Sequence, residues 1–451
     1  MKKLKFKIDA IPSLVQIEVT YACNHKCIFC YNPQRDINID FKKLDSVVEA
    51  IRKSSPPHVY FIGGEPSLVP INMLNNYIGR LSERSSVSIV TNGSIRMNNL
   101  KHNIANICIP LHGLYAEDHD ALTNIAGSFD RTIGNIKYYV SNGYNVQCVF
   151  VLTGYNYNKM YQMLKFVSEL GVQSVYIDRY EDAGFGAKLS GKIALKPTLT
   201  EFRIALGQII DAKKDLNILR GRIGFGTAIP MCLDERILTE NMASVCGAGT
   251  YFCAINPSGE LRICNQSNVT FGNILKESLI DIWNKNSTKV FRDLSWVEEP
   301  CKSCKLLTKC QCGCKVDINY SDKFCIDYAV RGNIDNIIRK QIEKINSGVY
   351  DDLIFGEKKT YVKHTNKYKI FKRNKYLKLH NTNGLKLITR HQTISIDSVS
   401  FDIVSKILSE NIVNEKKLVE FYKKEIEELE IRNFICNLVF AEALDVLGEV
   451  D

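Results

Sequence analysis

The first 215 residues repeat one contrast. Short β-branched runs, "LVQIEVT", "HVYFIGG", "SVSIVTNG", "NICIPLHG", "NVQCVFVLT" and "SVYIDRY", are separated by amphipathic stretches such as "DFKKLDSVVEAIRKS" and "NKMYQMLKFVSELG". Strands that alternate with helical crossovers pair as a parallel sheet, so this part of the chain is expected to fold as an α/β sheet or an incomplete (β/α)6 TIM-like barrel. Ligands of such sheets gather beyond the C-terminal ends of the strands. The turns "YACNHKCIFCYNP", "GGEP" and "TNG" fall there, after the first, second and third runs.

The first of these turns draws attention to thiols, of which the 451-residue chain has 16. Asp9 and Pro12 interrupt the N-terminal segment, and no window reaches the roughly 18 to 20 apolar residues of a membrane span. A cytoplasmic location without a membrane partner is therefore expected. In a reducing compartment such a cysteine count points to metal or redox chemistry rather than to disulfides. The length implies several domains.

Cys23, Cys27 and Cys30 have a C-x3-C-x2-C spacing. Three thiolates do not complete a tetrahedral site, which leaves either a fourth ligand from elsewhere or an open position. The spacing suits a four-iron, four-sulfur cluster with one iron free to bind a small molecule. With Phe29 just before the third cysteine, the stretch resembles the signature of the radical S-adenosylmethionine (SAM) enzymes. That resemblance implies that the three cysteines hold the cluster and that the amino and carboxylate groups of SAM chelate the open iron. One electron then cleaves the sulfonium to a 5'-deoxyadenosyl radical, which abstracts a hydrogen atom from substrate. It further implies that Phe29, Gly63, Gly64, Glu65, Pro66 and Asn92 lie at the SAM site. Pro110 stands where the family often has a serine able to reach the cofactor. His112 is either a substrate-cavity residue or a structural histidine, and Asp178, Arg179 and Tyr180 are candidate contacts at the sixth strand end.

Between Cys232 and Cys325 ten cysteines fall in under a hundred residues, among short strands and turns such as "NPSGE". A region so poor in regular structure is expected to rely on bound metal. Cys246-x12-Gly259-x4-Cys264 and Cys301-x2-Cys304-x5-Cys310-x3-Cys314, with Cys325 beyond, resemble the SPASM extension of radical SAM enzymes. Carried over, Cys301, Cys304, Cys310 and Cys325 hold one auxiliary cluster, and Cys246, Cys264 and Cys314 hold part of another. Cys253 and Cys232 compete to be its fourth ligand, with an iron left open to bind substrate as the alternative. The expected cofactors are SAM and three 4Fe-4S clusters. Cys312 has no assigned role, and Cys108, Cys148 and Cys436 read as core residues.

Near the C-terminus, "KYLKLHNTNGLKLITR" reads as a hairpin turning at Asn383 and Gly384, followed by a third strand in "HQTISID" and three helical runs. The order resembles the winged-helix, PqqD-like peptide-recognition elements of peptide maturases, in which a leader peptide adds as a strand beside the hairpin. The net charge of +10, with Lys372, Arg373, Lys375 and Lys378 near the hairpin, suits an acidic leader. The same charge could contact nucleic acid, but the acidic "KKEIEELE" helix opposes that, and no nucleic-acid partner is expected.

The sequence thus predicts a radical SAM partial barrel over 1–225, a SPASM domain over 226–345, a linker over 346–370 and a recognition domain over 371–451. The expected activity is modification of a ribosomally made precursor peptide by thioether or carbon-carbon cross-linking, with flavodoxin or ferredoxin as electron donor. The alternatives are a sulfatase-maturase-like enzyme acting on a protein Cys or Ser, and a peptide epimerase.

Overall fold

The computed structural model describes residues 3–9, 11–32, 39–182, 195–216, 223–315, 326–331, 334–351, 353, 367–374, 377–381, 385–389, 393–410, 412–441 and 443–450. Cys325, Lys375 and the Asn383–Gly384 turn lie outside the described residues. The chain divides into two compact units. One is Leu14–Gly348; the other joins Met1–Ser13, with its strand β1 (Phe6–Asp9), to Val349–Asp451.

In the larger unit β2 (Leu14–Glu18), β3 (His58–Ile62), β4 (Ser86–Val90), β5 (Asn106–Pro110), β6 (Val146–Leu152), β7 (Ser174–Arg179) and β8 (Ile223–Phe225) pair in parallel, and their spatial order is their sequence order. The first six coincide with the six β-branched runs. Helices α1 (Phe41–Ser54), α2 (Ile71–Ser82), α3 (Ala116–Thr123), α4 (Ser128–Ser141), α5 (Met160–Glu169) and α6 (Leu199–Asp215) provide the crossovers. In α1, Asp40 caps the first turn by accepting the Lys43 N–H, a contact worth about 1 kcal/mol. Leu44, Val47, Val48 and Ile51 then fall on one buried stripe, as a 3.6-residue period requires.

Among the described residues the cysteine-rich region forms no separate sheet. Its strands β9 (Phe252–Ile255), β10 (Glu260–Arg262) and β11 (Thr270–Asn273) extend the same sheet at its β2 edge, with β9 parallel to β2 and the rest antiparallel. This places the cysteine-rich segments beside the strand that carries the first cysteine loop.

The smaller unit holds two sheets. One is ordered β1, then β15 (Thr393–Ile396), β14 (Leu385–Ile388) and β13 (Lys378–Asn381); the other runs β16 (Ile412–Asn414), β12 (Tyr368–Arg373) and β17 (Leu444–Val450). Helices Ser398–Ser409, Glu415–Tyr422 and Glu428–Phe440 pack on them around Ile403, Ile407, Phe434, Ile435 and Leu438.

Three features differ from the sequence reading. Residues 1–13, expected in the barrel, belong to this unit: Phe6 to Asp9 pair antiparallel with Ile396 to Thr393. The Lys5 N–H bonds the Asp397 carboxylate at 2.7 Å and the Leu4 N–H bonds Glu430 at 3.0 Å. Strand β12 begins at Tyr368, inside the expected linker. The end of the last expected helix, from Leu444, is instead β17, because β12 offers it a six-residue antiparallel register.

An open β15 edge would leave unpaired N–H and C=O groups. Deleting residues 1–13 should therefore raise amide hydrogen exchange at 393–396 to the rate of a frayed edge, measured by mass spectrometry. Unchanged protection there would show that β1 is dispensable.

Candidate functional site

The loop after β2 presents Cys23, Cys27 and Cys30 half-buried. The His25 N–H points at Cys23 Sγ and the Asn32 N–H at Cys30 Sγ, both at 3.4 Å. Amide donors aimed at sulfur favour the thiolate, the form that binds iron. On its outer side the loop is stitched to the end of α3 by Lys26 N–H to Thr123 O at 3.1 Å and Ile28 N–H to Leu122 O at 3.0 Å.

The "GGEP" turn after β3 supports this loop. The Gly64 N–H bonds Thr20 O at 2.6 Å and the Glu65 N–H bonds Ala22 O at 2.9 Å. A Cβ on Gly64 would fall onto the Ala22 carbonyl, and Gly63, at φ +125°, would place one 2.5 Å from Thr20 O. Only glycine allows such close backbone approach. Glu65 is fully buried: Oε1 accepts the Ser67 N–H at 2.8 Å and the Thr91 hydroxyl at 2.5 Å, and Oε2 accepts the Asn92 N–H at 2.7 Å. Burial pushes its pKa up while these bonds hold it down. Pro66 opens a short 3-10 turn, Pro66–Leu68. Asn92 donates to Asn24 at 2.7 Å and its amide nitrogen lies 4.0 Å from Cys23 Sγ. The residues expected at the SAM site are thus gathered around the cysteine loop, and Glu65 spends both carboxylate oxygens in joining the ends of β3 and β4.

Phe29 meets the edge of His112 at 4.4 Å, and His112 stacks on His119 at 5.6 Å. The His112 N–H donates to His119 Nδ1 at 3.2 Å. Burial, the largest influence on each, pushes His112 well below the ordinary histidine range and lowers His25 and His119 to about 4. All three imidazoles are neutral at pH 7.

Arg179, a candidate ligand contact, is committed elsewhere. Its buried guanidinium bonds Glu181 at 2.7 Å and Asp327 at 2.5 Å, and stacks 4.7 Å over Tyr328. Asp327 also accepts the Cys314 N–H at 2.9 Å, and its own N–H bonds Cys312 O at 3.0 Å. This clamp fixes the second cysteine group. Asp178 is half-buried, and its carboxylate accepts from the Thr227 hydroxyl at 3.4 Å.

Cys232, Cys301, Cys304, Cys310 and Cys312 line one cavity. Cys232 reaches this cavity on the turn at Pro230, whose Met231 N–H points at Cys310 Sγ at 3.4 Å. Cys246 and Cys264 pack in a second apolar cluster. The buried Lys315 ammonium lies within electrostatic reach of Cys246, Cys312 and Cys314 and bonds Gln311 at 2.9 Å. Cys253, the other expected fourth ligand, is fully buried on β9, where burial alone raises its thiol pKa. Gln311, Cys312 and Gly313 are consecutive left-handed residues, at φ 52°, 69° and 75°. Among the described residues no three His, Cys, Asp or Glu side chains converge on a point as a single metal ion requires; a cubane instead takes its thiolates from separate corners. Nor is any described helix long and apolar enough to cross a membrane.

Two outcomes are expected. Gly64→Ala should push the cysteine loop off its support and cost about four iron atoms per chain, measured by iron analysis. His119, ordinarily near 6.5 and here lowered to about 4, takes its proton first in the unfolded chain. The stability it contributes is complete above pH 6.5 and is lost as pH falls toward 4, by up to roughly 3 kcal/mol. Anaerobic denaturation midpoints should fall less steeply between pH 6.5 and 5 in His119→Gln than in the wild type.

Comparison with known proteins agrees with this geometry. Residues 17–167 match the model of the radical SAM superfamily, and residues 246–305 match the SPASM iron-sulfur cluster-binding domain. The chain is 22% identical over 333 residues to the PqqA peptide cyclase of Granulibacter bethesdensis, covering 70% of this chain and 84% of the relative. It is 26% identical over 331 residues to the mycofactocin maturase MftC of Mycobacterium ulcerans, covering 70% and 85%. The crystal structure of Streptococcus suis SuiB bound to precursor peptide SuiA shares the fold, with TM-score 0.56 and 19% identity over 72% of this chain and 77% of that one. With three thiols at the end of β2, two of them met by backbone amides, and a cysteine-rich extension on the same sheet, the chain carries a radical SAM domain over 17–167 and a SPASM domain over 246–305.

Proposed function

We propose that this protein is a maturase that cross-links a ribosomally made precursor peptide. The observation that carries the reading is the Cys23, Cys27, Cys30 loop with its backbone donors, on a chain whose relatives include a peptide cyclase and a maturase and whose fold is shared by a protein crystallised with its precursor peptide. Cys23, Cys27 and Cys30 would hold a 4Fe-4S cluster, which together with SAM would supply the 5'-deoxyadenosyl radical for hydrogen abstraction. The chain's own residues position that chemistry. Gly63 and Gly64 let the backbone support the loop, Glu65 fixes the Asn92 turn, and Phe29 on neutral His112 forms an apolar wall beside Cys30. Closing a thioether or carbon-carbon bond leaves an electron and a proton to be removed. The cysteine sets of the SPASM region, read as two further clusters, suit the electron's removal and favour cross-linking over epimerisation.

The smaller unit is read as a winged-helix leader-binding module. Since β1 already covers β15, the edge for strand addition is β13, which has no further strand partner among the described residues. Lys378 on β13 is exposed and suits an acidic leader, whereas Arg373 is spent on Leu408 O at 2.6 Å.

Co-expression with a candidate precursor should lower the peptide's mass by two hydrogens per link. Cys23→Ala should abolish both that loss and 5'-deoxyadenosine formation, and Lys378→Glu should weaken leader binding severalfold. Modification without mass change would identify an epimerase. Modification of a folded protein in place of the peptide would identify a sulfatase-maturase type.

A further inference from the structure

A lysine side chain is rarely buried without anionic company, because its ammonium gives up hydration. Lys315 is 1% exposed. Two features of the backbone put it there. Cys314, the residue before it, is fixed by its N–H to Asp327 Oδ2 at 2.9 Å. The left-handed run from Gln311 to Gly313 bends the chain, and across that bend Lys315 Nζ donates to Gln311 Oε1 at 2.9 Å. The thiols that act on this ammonium are Cys246, Cys312 and Cys314.

Cys246 and Cys314 belong to the set that the SPASM resemblance joins with Cys264, and Cys246 and Cys264 pack in one apolar cluster with Ile263 and Phe291. Arg262 is another cation beside this set, and its charge is matched by the Glu18 carboxylate. Lys315 bonds a neutral amide oxygen. A reduced iron-sulfur cluster carries one more negative charge than an oxidised one. A fixed cation in a medium that screens poorly therefore stabilises the reduced form more, and the potential rises. A higher potential draws onto such a cluster the electron that bond closure leaves behind.

We propose that the Lys315 ammonium raises the reduction potential of the auxiliary cluster held in part by Cys246, Cys264 and Cys314. The proposal rests on the reading of the cysteine-rich region as iron-sulfur binding and adds to it a residue that tunes one of the clusters. It holds whichever group completes that cluster's ligand set.

The test uses the full chain with Cys23, Cys27 and Cys30 all changed to Ala, so that any remaining iron belongs to the auxiliary sites. Into this background Lys315→Gln, Lys315→Arg and Cys246→Ala are introduced separately. After anaerobic reconstitution each chain is titrated with dithionite and followed by electron paramagnetic resonance, which gives a midpoint for each cluster. One midpoint should fall in Lys315→Gln, so that at the background's midpoint the ratio of reduced to oxidised cluster drops roughly tenfold, about 59 mV for one electron. The signal that moves should be the one missing in Cys246→Ala. Lys315→Arg, which keeps the charge, should keep most of the potential. Should Lys315→Gln bind less iron than the background, Lys315→Met takes its place in the comparison with arginine. Unchanged midpoints in the neutral variant would overturn the proposal while leaving the iron-sulfur reading intact. So would a moving signal that survives Cys246→Ala, or a fall as large in Lys315→Arg, which would trace the shift to packing. A background without iron would overturn both.

Discussion

Two buried charge clusters hold the cysteine groups in register. Arg179, at the end of β7, is clamped between Glu181 and Asp327, and Asp327 in turn receives the Cys314 amide. Arg262, two residues before Cys264, pairs with Glu18, five residues before Cys23, and its guanidinium also bonds the carbonyls of Asn265 and Ser267. Each cluster joins the parallel sheet to the cysteine-rich region. Buried pairs gain little net stability, because desolvation offsets attraction, but removing one partner costs about 3–5 kcal/mol. Their value here is positional. Apolar contacts tolerate sliding, whereas a guanidinium fork bonded to two carboxylates does not.

The strength of local signals explains what could be read from the sequence. The six strands β2 to β7 were legible because each is a β-branched run bounded by turn residues. β8 is three residues long and carries no such signal. β17 was hidden because "ALDVLG" continues a helical hydrophobic pattern, and only its pairing with β12 decides otherwise. β1 was missed for a similar reason, since its partner lies at the far end of the chain. Short-range spacing announced the thiol groups of the site, but membership of a group depends on loop packing. Cys232 lies in the cavity that Cys310 lines, a placement set by the Pro230 turn and not by any spacing in its own sequence.

The motif residues show a related division. Gly63, Gly64, Glu65 and Asn92 lie at the first cysteine loop, yet the Glu65 carboxylate and the Gly64 amide face protein. Thr91 supplied one of those partners, and nothing in its local sequence marked it. Similarly, Arg179 read as a ligand contact because it ends a strand on the ligand-binding side. The carboxylate that claims it, Asp327, is 148 residues away in sequence.

The three consecutive left-handed residues between Cys310 and Cys314 have a structural consequence. Non-glycine residues in that region are strained by about 1 kcal/mol each, so the bend persists only while its surroundings enforce it. On one side Cys310 faces the sulfur-lined cavity; on the other Cys314 lies toward Lys315 and Cys246. The bend thus turns two thiols four positions apart toward different surroundings, where an unbroken helical turn would have kept them on one face.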